Sequence, residues 1–250
     1  MIRAVRISKS FEDKLVIDDV SVTFQPGEIN QIIGQSGSGK TVLLKSLVGL
    51  YEVDKGEIFY DDFSFTKLQR NEKQEVREKI GMLFQGSALF DSATVIENVM
   101  FPLEMFTKMS KEEMEERANF CLQRVDIENA NHLFPSEISG GMQKRVAIAR
   151  AIALNPRYLF CDEPNSGLDP RTATVIDNLI KEITQEYQMT TIINTHDMNS
   201  IMEIGDKIFF INEGKIWWEG NREEILHADN KELNDFVFSS ALTRAVKGVL

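Results

Sequence analysis

The sequence predicts an α/β fold in which a parallel core sheet is joined to a helix-rich insertion. Two observations predict it. Short apolar runs of strand length alternate with helical patterns through both ends of the chain, and the pattern is helical from about residue 86 to residue 157. The strand-like runs are residues 4–7, 16–24, 29–33, 80–84, 158–161, 191–194 and 208–211. Several of these runs should form the parallel sheet.

Composition narrows the class of protein. The 250 residues can form one large domain or a domain with a subdomain. The net charge of -11 argues against direct binding to nucleic acid, which needs an excess of basic side chains. Cys121 and Cys161 are too few for a disulfide framework, and no apolar stretch approaches the ~20 residues of a membrane span. We therefore expect a reduced compartment, with any membrane association made through another protein.

The first chemical motif is a glycine-rich loop between a predicted strand at 28–33 and a predicted helix at 42–48 that Gly49 ends. Its glycines let backbone N–H groups point inward at a helix start and form an anion site. Lys40 is placed to reach the β- and γ-phosphates of a nucleotide, and Thr41 to ligate Mg²⁺. The loop consists of Gly34, Gln35, Ser36, Gly37, Ser38, Gly39, Lys40 and Thr41.

The second motif is an apolar strand that ends in two adjacent carboxylates, Asp162 and Glu163. Neighbouring side chains at a strand end point in different directions, so the two can have different roles. Asp162 would hold Mg²⁺, and Glu163 would orient the water that attacks the γ-phosphate. Taken alone, the pair could equally cap a loop. Its place after the phosphate-binding loop favours ATP hydrolysis.

The third motif is a Ser139-Gly140-Gly141 turn at a second predicted helix start. Ser139 is a good N-cap, and apolar residues recur at helical spacing after it. A second anion site in a chain that already has a phosphate loop suggests a head-to-tail dimer, with each ATP held between the loop of one subunit and the serine turn of the other. The alternative is an ordinary helix cap.

With His196 after a later strand, these motifs resemble the ATP-binding subunits of ABC transporters over roughly residues 1 to 220. The resemblance implies ATP and Mg²⁺ as cofactors and a P-loop NTPase fold. That fold has a RecA-like core with an antiparallel β subdomain (1–85 and 158–220) and an inserted α-helical signature subdomain (86–157). A C-terminal helical extension would follow at 221–250, as short amphipathic helices contacting either the neighbouring subunit or their own.

The same resemblance assigns further roles. Phe11 would stack on adenine, although a lone phenylalanine near an N-terminus is more often a core residue. Gln85 would contact Mg²⁺ and the attacking water, and His196 would be the switch histidine on the γ-phosphate. Asp169 belongs to a loop that would cross the dimer interface. The catalytic set is therefore Glu163, His196, Gln85 and Lys40; the metal ligands are Thr41, Gln85 and Asp162; and the nucleotide contacts are the loop residues with Phe11, Ser139, Gly140, Gly141 and Asp169.

Two departures from the commonest family pattern, Ile138 and Met142, indicate a subfamily. Together with the segments 86–91 and 97–103, they are similar to the MlaF-type ATPases of Mla and Mce-associated phospholipid transport systems. This resemblance implies a homodimer at the cytoplasmic face of the inner membrane, peripheral through an MlaE-like permease. The permease would connect to a lipid-binding Mce-domain protein, and phospholipid would move between the inner and outer membranes.

The residues after Gln85 are rich in apolar side chains and should border a groove for a short helix of the permease. The expected members are Leu89, Phe90, Val99, Phe101 and Leu103. Other functions stay open at this point. They are an ATPase of an importer for amino acids or another small solute, a non-transport ABC ATPase acting in DNA repair or translation, and an ATP-binding module without turnover.

Overall fold

The computed structural model describes residues 1–239 and contains two β-sheets and a group of helices. The strands are β1 Ile2–Phe11, β2 Lys14–Phe24, β3 Ile29–Ile33, β4 Lys55–Tyr60, β5 Phe63–Ser64, β6 Ile80–Leu83, β7 Tyr158–Asp162, β8 Thr190–Asn194, β9 Lys207–Asn212 and β10 Lys215–Gly220. The helices are α1 Lys40–Val48, α2 Arg70–Arg77, α3 Val95–Phe106, α4 Lys111–Arg124, α5 Gly140–Ile152, α6 Pro170–Glu186, α7 Met198–Ile204 and α8 Lys231–Val237.

The larger sheet has the order β10-β9-β3-β8-β7-β6. All its neighbouring strands run parallel except the β9–β10 pair. Strands β3, β7 and β8 are buried at every residue, which explains their unbroken apolar runs. Because these strands are parallel, their carboxyl ends meet at one edge, where open α/β sheets bind ligands.

Helices cover both faces of this sheet. Along β7, Leu159 and Cys161 pack in one apolar cluster with α5, whereas Tyr158 and Phe160 pack in a second cluster with α1. Successive side chains of a strand point to opposite faces, so α1 and α5 lie on opposite sides of the sheet. This separation decides which helix can reach which of the side chains at the carboxyl edge of the sheet.

The smaller sheet is antiparallel, with the order β2-β1-β4-β5. Its inner residues share the α1 cluster, so it packs on the α1 side of the core. Strands β4, β5 and β10 were not expected from the sequence. Buried and half-buried positions alternate at the end of β4, and exposed and half-buried positions alternate in β10, so neither strand has the continuous apolar run of the central strands.

Helices α3, α4 and α5 pack together between β6 and β7 along the chain. Each begins at a side-chain cap: the backbone N–H groups of Glu97, Glu113 and Met142 donate to the hydroxyls of Thr94, Ser110 and Ser139. These caps fix where each helix starts. For α5, the cap places the Ser139 turn at the helix N-terminus.

The predicted C-terminal extension contains a short 3-10 helix, Glu224–His227, and α8. Ile225, Leu233 and Val237 are buried against Phe210 of β9, so the described part packs on its own subunit. Residues 240–250 of this extension lie outside the described residues. Within residues 1–239, none of the helices combines the length and the apolar character needed to cross a membrane.

Candidate functional site

The glycine-rich loop connects β3 to α1 at the carboxyl edge of the larger sheet. Gly37 and Gly39 have φ of 80° and 109°, the left-handed region that favours glycine. A Cβ at Gly34 would collide with the backbone carbonyl of Ile211. Ser38 is 8% exposed, and its hydroxyl has no hydrogen-bond partner. The loop therefore requires its glycines and holds an unsatisfied polar group at a helix N-terminus, features that fit a bound phosphate chain.

Lys40 lies at the mouth of this loop. Its ammonium donates to the carbonyl oxygens of Gly34 at 2.9 Å and Gln35 at 3.0 Å. Burial lowers the pKa of Lys40, while the nearby carboxylates of Glu163 and Asp162 raise it. A buried cation with these neighbours is placed to take phosphate oxygens as partners.

Thr41, Asp162 and Asn194 form a hydrogen-bonded cluster beside the loop. The Thr41 hydroxyl lies 3.3 Å from Asp162 Oδ1, and Asn194 Nδ2 lies 2.6 Å from the same oxygen. Asn194 Nδ2 also donates to Thr41 Oγ1 at 3.1 Å. Hydroxyl and carboxylate oxygens are ligands of the kind that Mg²⁺ prefers, so these residues fit a magnesium site next to the phosphates.

Asn194 was not among the predicted site residues. A signal was present, because Asn194 ends an apolar strand and polar residues at the carboxyl ends of parallel strands gather at one edge. The register makes this specific: Asp162 on β7 pairs with Asn194 on β8. The sequence alone does not show that β7 and β8 are neighbours.

Glu163 and His196 are in direct contact. Glu163 Oε1 and His196 Nδ1 are 2.8 Å apart, with the carboxylate mostly buried and the imidazole 66% exposed. Glu163 has φ of 51°, a strained region for a residue with a side chain, and its N–H donates to the Asn194 carbonyl at 2.9 Å. The backbone thus turns sharply after Asp162 and directs Glu163 toward His196.

Gln85 and Phe11 are both exposed and lie outside the hydrogen-bonded cluster of Thr41, Asp162 and Asn194. Gln85 is in an exposed turn after β6, which runs parallel to β7, so it reaches the same sheet edge. Within residues 1–239 it has no hydrogen bond to Thr41 or Asp162. Phe11 ends β1, is 39% exposed, and packs edge-on against Tyr51 at 5.1 Å. The exposed part of Phe11 leaves ring surface accessible to solvent.

The serine turn lies in a different place from the glycine-rich loop. Ser139 and Asp169 cap α5 and α6, and both line a surface depression of about 640 Å³. Hydrogen bonds from the Thr172 hydroxyl and from backbone N–H groups hold the pKa of Asp169 below its usual range. No member of the loop 34–41 is among the lining residues of this depression. Each chain therefore presents two separate helix-start sites.

The apolar segment after Gln85 is partly a groove and partly core. Phe90 and Phe101 are exposed, their ring centroids are 4.6 Å apart, and both line a depression of about 250 Å³ with Phe106. Val99 and Leu103 are buried and pack the helices instead, so their expected place at the groove is wrong. They lie on the inner face of α3, which the sequence could not distinguish from the outer one.

Comparison with known proteins supplies the family context. A family model described as ABC transporter matches residues 17–166. The methionine import ATP-binding protein MetN 2 of Bacillus cereus is 38% identical over 244 residues, covering 96% of this chain and 72% of that protein. The MetN of Carboxydothermus hydrogenoformans is 40% identical over 234 residues, covering 92% and 69%.

Solved structures of ATP-binding cassettes have the same fold as this chain. A dimeric ATP-binding cassette in a post-hydrolysis state with ADP and Pi is 33% identical with a TM-score of 0.81, and the match covers 89% of this chain and 99% of that one. The cbiO1 cassette of Clostridium perfringens, part of the cbiONQ transporter complex, has 28% identity and a TM-score of 0.84 over 98% of both chains. The predicted P-loop NTPase fold is confirmed. The expected kinship with Mla-type ATPases has no support from these relatives.

Proposed function

This chain belongs to the ABC transporter family of ATPases, and we propose that it powers an importer for an amino acid or another small solute. As a member of that family, it binds ATP with Mg²⁺ and hydrolyses it to ADP and phosphate in association with a membrane permease. The observation that supports the ATPase part of the proposal is the meeting of the glycine-rich loop, the Thr41–Asp162–Asn194 cluster and the Glu163–His196 pair at one sheet edge. The importer part is supported by the relatives named above.

The site residues would have separate roles in ATP hydrolysis. The loop amides and Lys40 would hold the phosphates, and bound Mg²⁺ would neutralise charge on their oxygens beside Thr41 and Asp162. Glu163 would accept a hydrogen bond from the attacking water and orient it in line with the leaving phosphate. His196, in contact with Glu163, would hold that carboxylate and bind the γ-phosphate. Gln85 would contact Mg²⁺ and the attacking water from the solvent side.

The two separate helix-start sites support a head-to-tail homodimer. The Ser139 turn and Asp169 lie together in one depression apart from the glycine-rich loop. In such a dimer, the turn of one subunit closes over the phosphates at the loop of the other, and two equivalent ATP sites result. Phosphate charge between the subunits is then what holds the closed dimer together, and hydrolysis releases it.

Coupling to the permease would use the groove around Phe90 and Phe101. It is apolar and exposed, and it lies directly after Gln85, so movement of this turn with the nucleotide state can reach the groove. Arg150 lines the same groove and donates to the carbonyls of Ser87 and Ala88. This arrangement supports a peripheral position at the cytoplasmic face of the membrane, with the permease as the anchor.

The identity of the transported molecule is the more specific part of the proposal. The relatives named above are methionine import proteins, which favours an amino acid or a similarly small solute. A second candidate is phospholipid, favoured by Ile138 and Met142 at the signature turn. It would bring an MlaE-like permease and a lipid-binding Mce-domain protein as partners, with cargo moving between the inner and outer membranes. The net charge of -11 gives no basis for a nucleic-acid partner.

One experiment separates the two cargo classes. The tagged full chain is isolated from membranes, the co-purifying permease is identified, and the complex is reconstituted in vesicles. ATP-dependent uptake of labelled methionine is measured beside movement of a labelled phospholipid, with Glu163→Gln as the inactive control. Uptake of the amino acid supports the importer. Lipid movement without amino-acid uptake would replace it with the second candidate.

A further inference from the structure

Lys144 is a buried lysine for which the described structure gives no hydrogen-bond partner. It lies in the first half of α5, is 4% exposed, and its Nζ atom is fully enclosed. Removing an ammonium from water without a hydrogen-bond partner costs several kcal/mol, so such a residue lowers the stability of the fold. An apolar side chain of similar length would destabilise the fold less at this position, which points to a role for the charge itself.

The course of the chain fixes where this ammonium lies. Helix α5 ends at Ile152, β7 begins soon afterwards at Tyr158, and the two pack in one apolar cluster, so the helix and the strand run roughly antiparallel. Lys144 is about eight residues before the helix end, roughly 12 Å along the axis. Cys161 is about three residues into the strand, roughly 10 Å along it. Lys144 is therefore level with the carboxyl end of β7.

Lys40 and Lys144 lie on opposite faces of the sheet. Alternation along β7 places Asp162 on the α1 side, where Thr41 contacts it, and Cys161 on the α5 side, where Lys144 lies. Lys40 comes from the α1 side and is bonded to the loop carbonyls. Burial lowers the pKa of Lys144, and the negative charge of Glu163 opposes that shift, which agrees with this placement.

We propose that Lys144 is a positioning residue for Glu163, holding the carboxylate toward α5 while phosphate charge accumulates on the other side. The proposal rests on the proposed role of Glu163 as the group that orients the attacking water. Asp162 and the phosphates of ATP repel the Glu163 carboxylate. Lys40 would bind the phosphates, and among residues 1–239 Lys144 is a buried lysine on the other face of the sheet that can oppose this repulsion.

The inference also concerns communication between the two ATP sites. Lys144 lies about one helical turn after Gly140 and Gly141, whose turn would face the ATP of the partner subunit. Its ammonium would act on Glu163 of its own subunit. A displacement of α5 on closure of the dimer would therefore move the charge that positions Glu163.

The test is Lys144→Met in the full chain, measured in the complex isolated with its permease. Methionine keeps the length and removes the charge. We expect an equal or higher melting temperature, a KM for ATP within about twofold of wild type, and a kcat lower by about tenfold or more. Lys144→Arg, which keeps the charge, should retain most of the turnover. Lys111→Met, at a lysine that is 75% exposed on α4, is the matched control and should change none of these values.

Each other outcome overturns the proposal. A Lys144→Met variant with a kcat near wild type would show that the charge is not needed. A fall in kcat with a lower melting temperature or weaker ATP binding, or an equal loss in Lys144→Arg, would show a packing role instead. Glu163→Gln is measured in parallel: if it keeps turnover, the role of Glu163 itself fails, whereas an inactive Glu163→Gln beside an active Lys144→Met refutes Lys144 alone.

Discussion

Asn194 Nδ2 donates to Asp162 Oδ1 at 2.6 Å and to Thr41 Oγ1 at 3.1 Å, so one amide holds together the two oxygens that would ligate magnesium. The strand register sets this contact, because Asp162 and Asn194 face each other across β7 and β8. The amide fixes how Asp162 points, and residues that orient metal ligands contribute measurably to metal affinity.

Asn194→Ala should therefore weaken the Mg²⁺ dependence of ATP hydrolysis. We expect the Mg²⁺ concentration for half-maximal turnover to rise by roughly tenfold, with a smaller effect on maximal turnover at saturating Mg²⁺. A titration of activity against free Mg²⁺ measures both. Asn178→Ala, at an exposed position of α6, is the control. An unchanged Mg²⁺ titration for Asn194→Ala would show that this amide does not contribute to magnesium binding.

Glu163→Gln should bind ATP normally and lose turnover by roughly 100-fold or more. The amide fills the same space but lacks the negative charge that polarises water. ATP binding is followed by a fluorescent analogue, and turnover by phosphate release. His196→Ala, which removes the contact partner at 2.8 Å, should also lower turnover. Rapid hydrolysis by Glu163→Gln would exclude Glu163 as the residue that orients the water.

Phe101→Ser should weaken assembly with the permease while ATP binding by the separate subunit persists. Phe101 is 39% exposed and packs on Phe90, so the loss of stability should be only ~1 kcal/mol. Thermal melting and co-purification measure the two effects. Phe63→Ser, on β5 at 66% exposed, should assemble normally. Normal assembly of a well-folded Phe101→Ser would place the permease contact elsewhere.

Asp177 makes stability depend on pH. It is buried in α6 and accepts a hydrogen bond from Ser200 at 3.0 Å, and burial raises its pKa to about 6. As pH rises, the Asp177 carboxyl loses its proton in the unfolded chain before it does so in the folded one. Its contribution to the free energy of unfolding is therefore fully present below about pH 4 and is lost as pH rises through 6.

Asp177→Asn keeps the acceptor oxygen and removes the charge. It should raise the free energy of unfolding at pH 7.5 by up to about 3 kcal/mol and flatten the slope between pH 4 and 6. Urea unfolding at several pH values measures this, with Asp91→Asn at an exposed loop position as the control. A variant with the wild-type slope would assign the pH dependence to another group.

The sequence predicts the central strands and the phosphate loop because both carry strong local signals. Strand β3 is apolar throughout and is followed at once by the loop and α1. By contrast, β4 alternates between buried and half-buried residues and β10 between exposed and half-buried ones, so neither forms a continuous apolar run. Strand β4 also pairs with β1, which is distant in the chain. Asn194 and Lys144 were missed as site residues for the same reason. The contacts of Asn194 depend on which strands are neighbours, and the proposed role of Lys144 depends on the face of the sheet against which α5 packs. No local sequence pattern contains either.

The composite ATP site is first tested by two single variants. Lys40→Ala removes the phosphate cation and should weaken ATP binding by the separate subunit. Ser139→Arg should leave that binding nearly intact, because Ser139 lies apart from the loop in its own chain, yet it should prevent ATP-driven dimerisation. Nucleotide affinity and molecular mass are measured separately. Equal losses of affinity in the two variants would contradict the head-to-tail arrangement.

Mixing these two variants tests the central claim most directly. In a head-to-tail heterodimer, both substitutions fall in the same ATP site, and the other site combines the intact loop of one subunit with the intact turn of its partner. The account predicts that the mixture regains ATP-dependent dimerisation and measurable phosphate release, although each variant alone has neither. No recovery at any mixing ratio, with both variants folded, would contradict it.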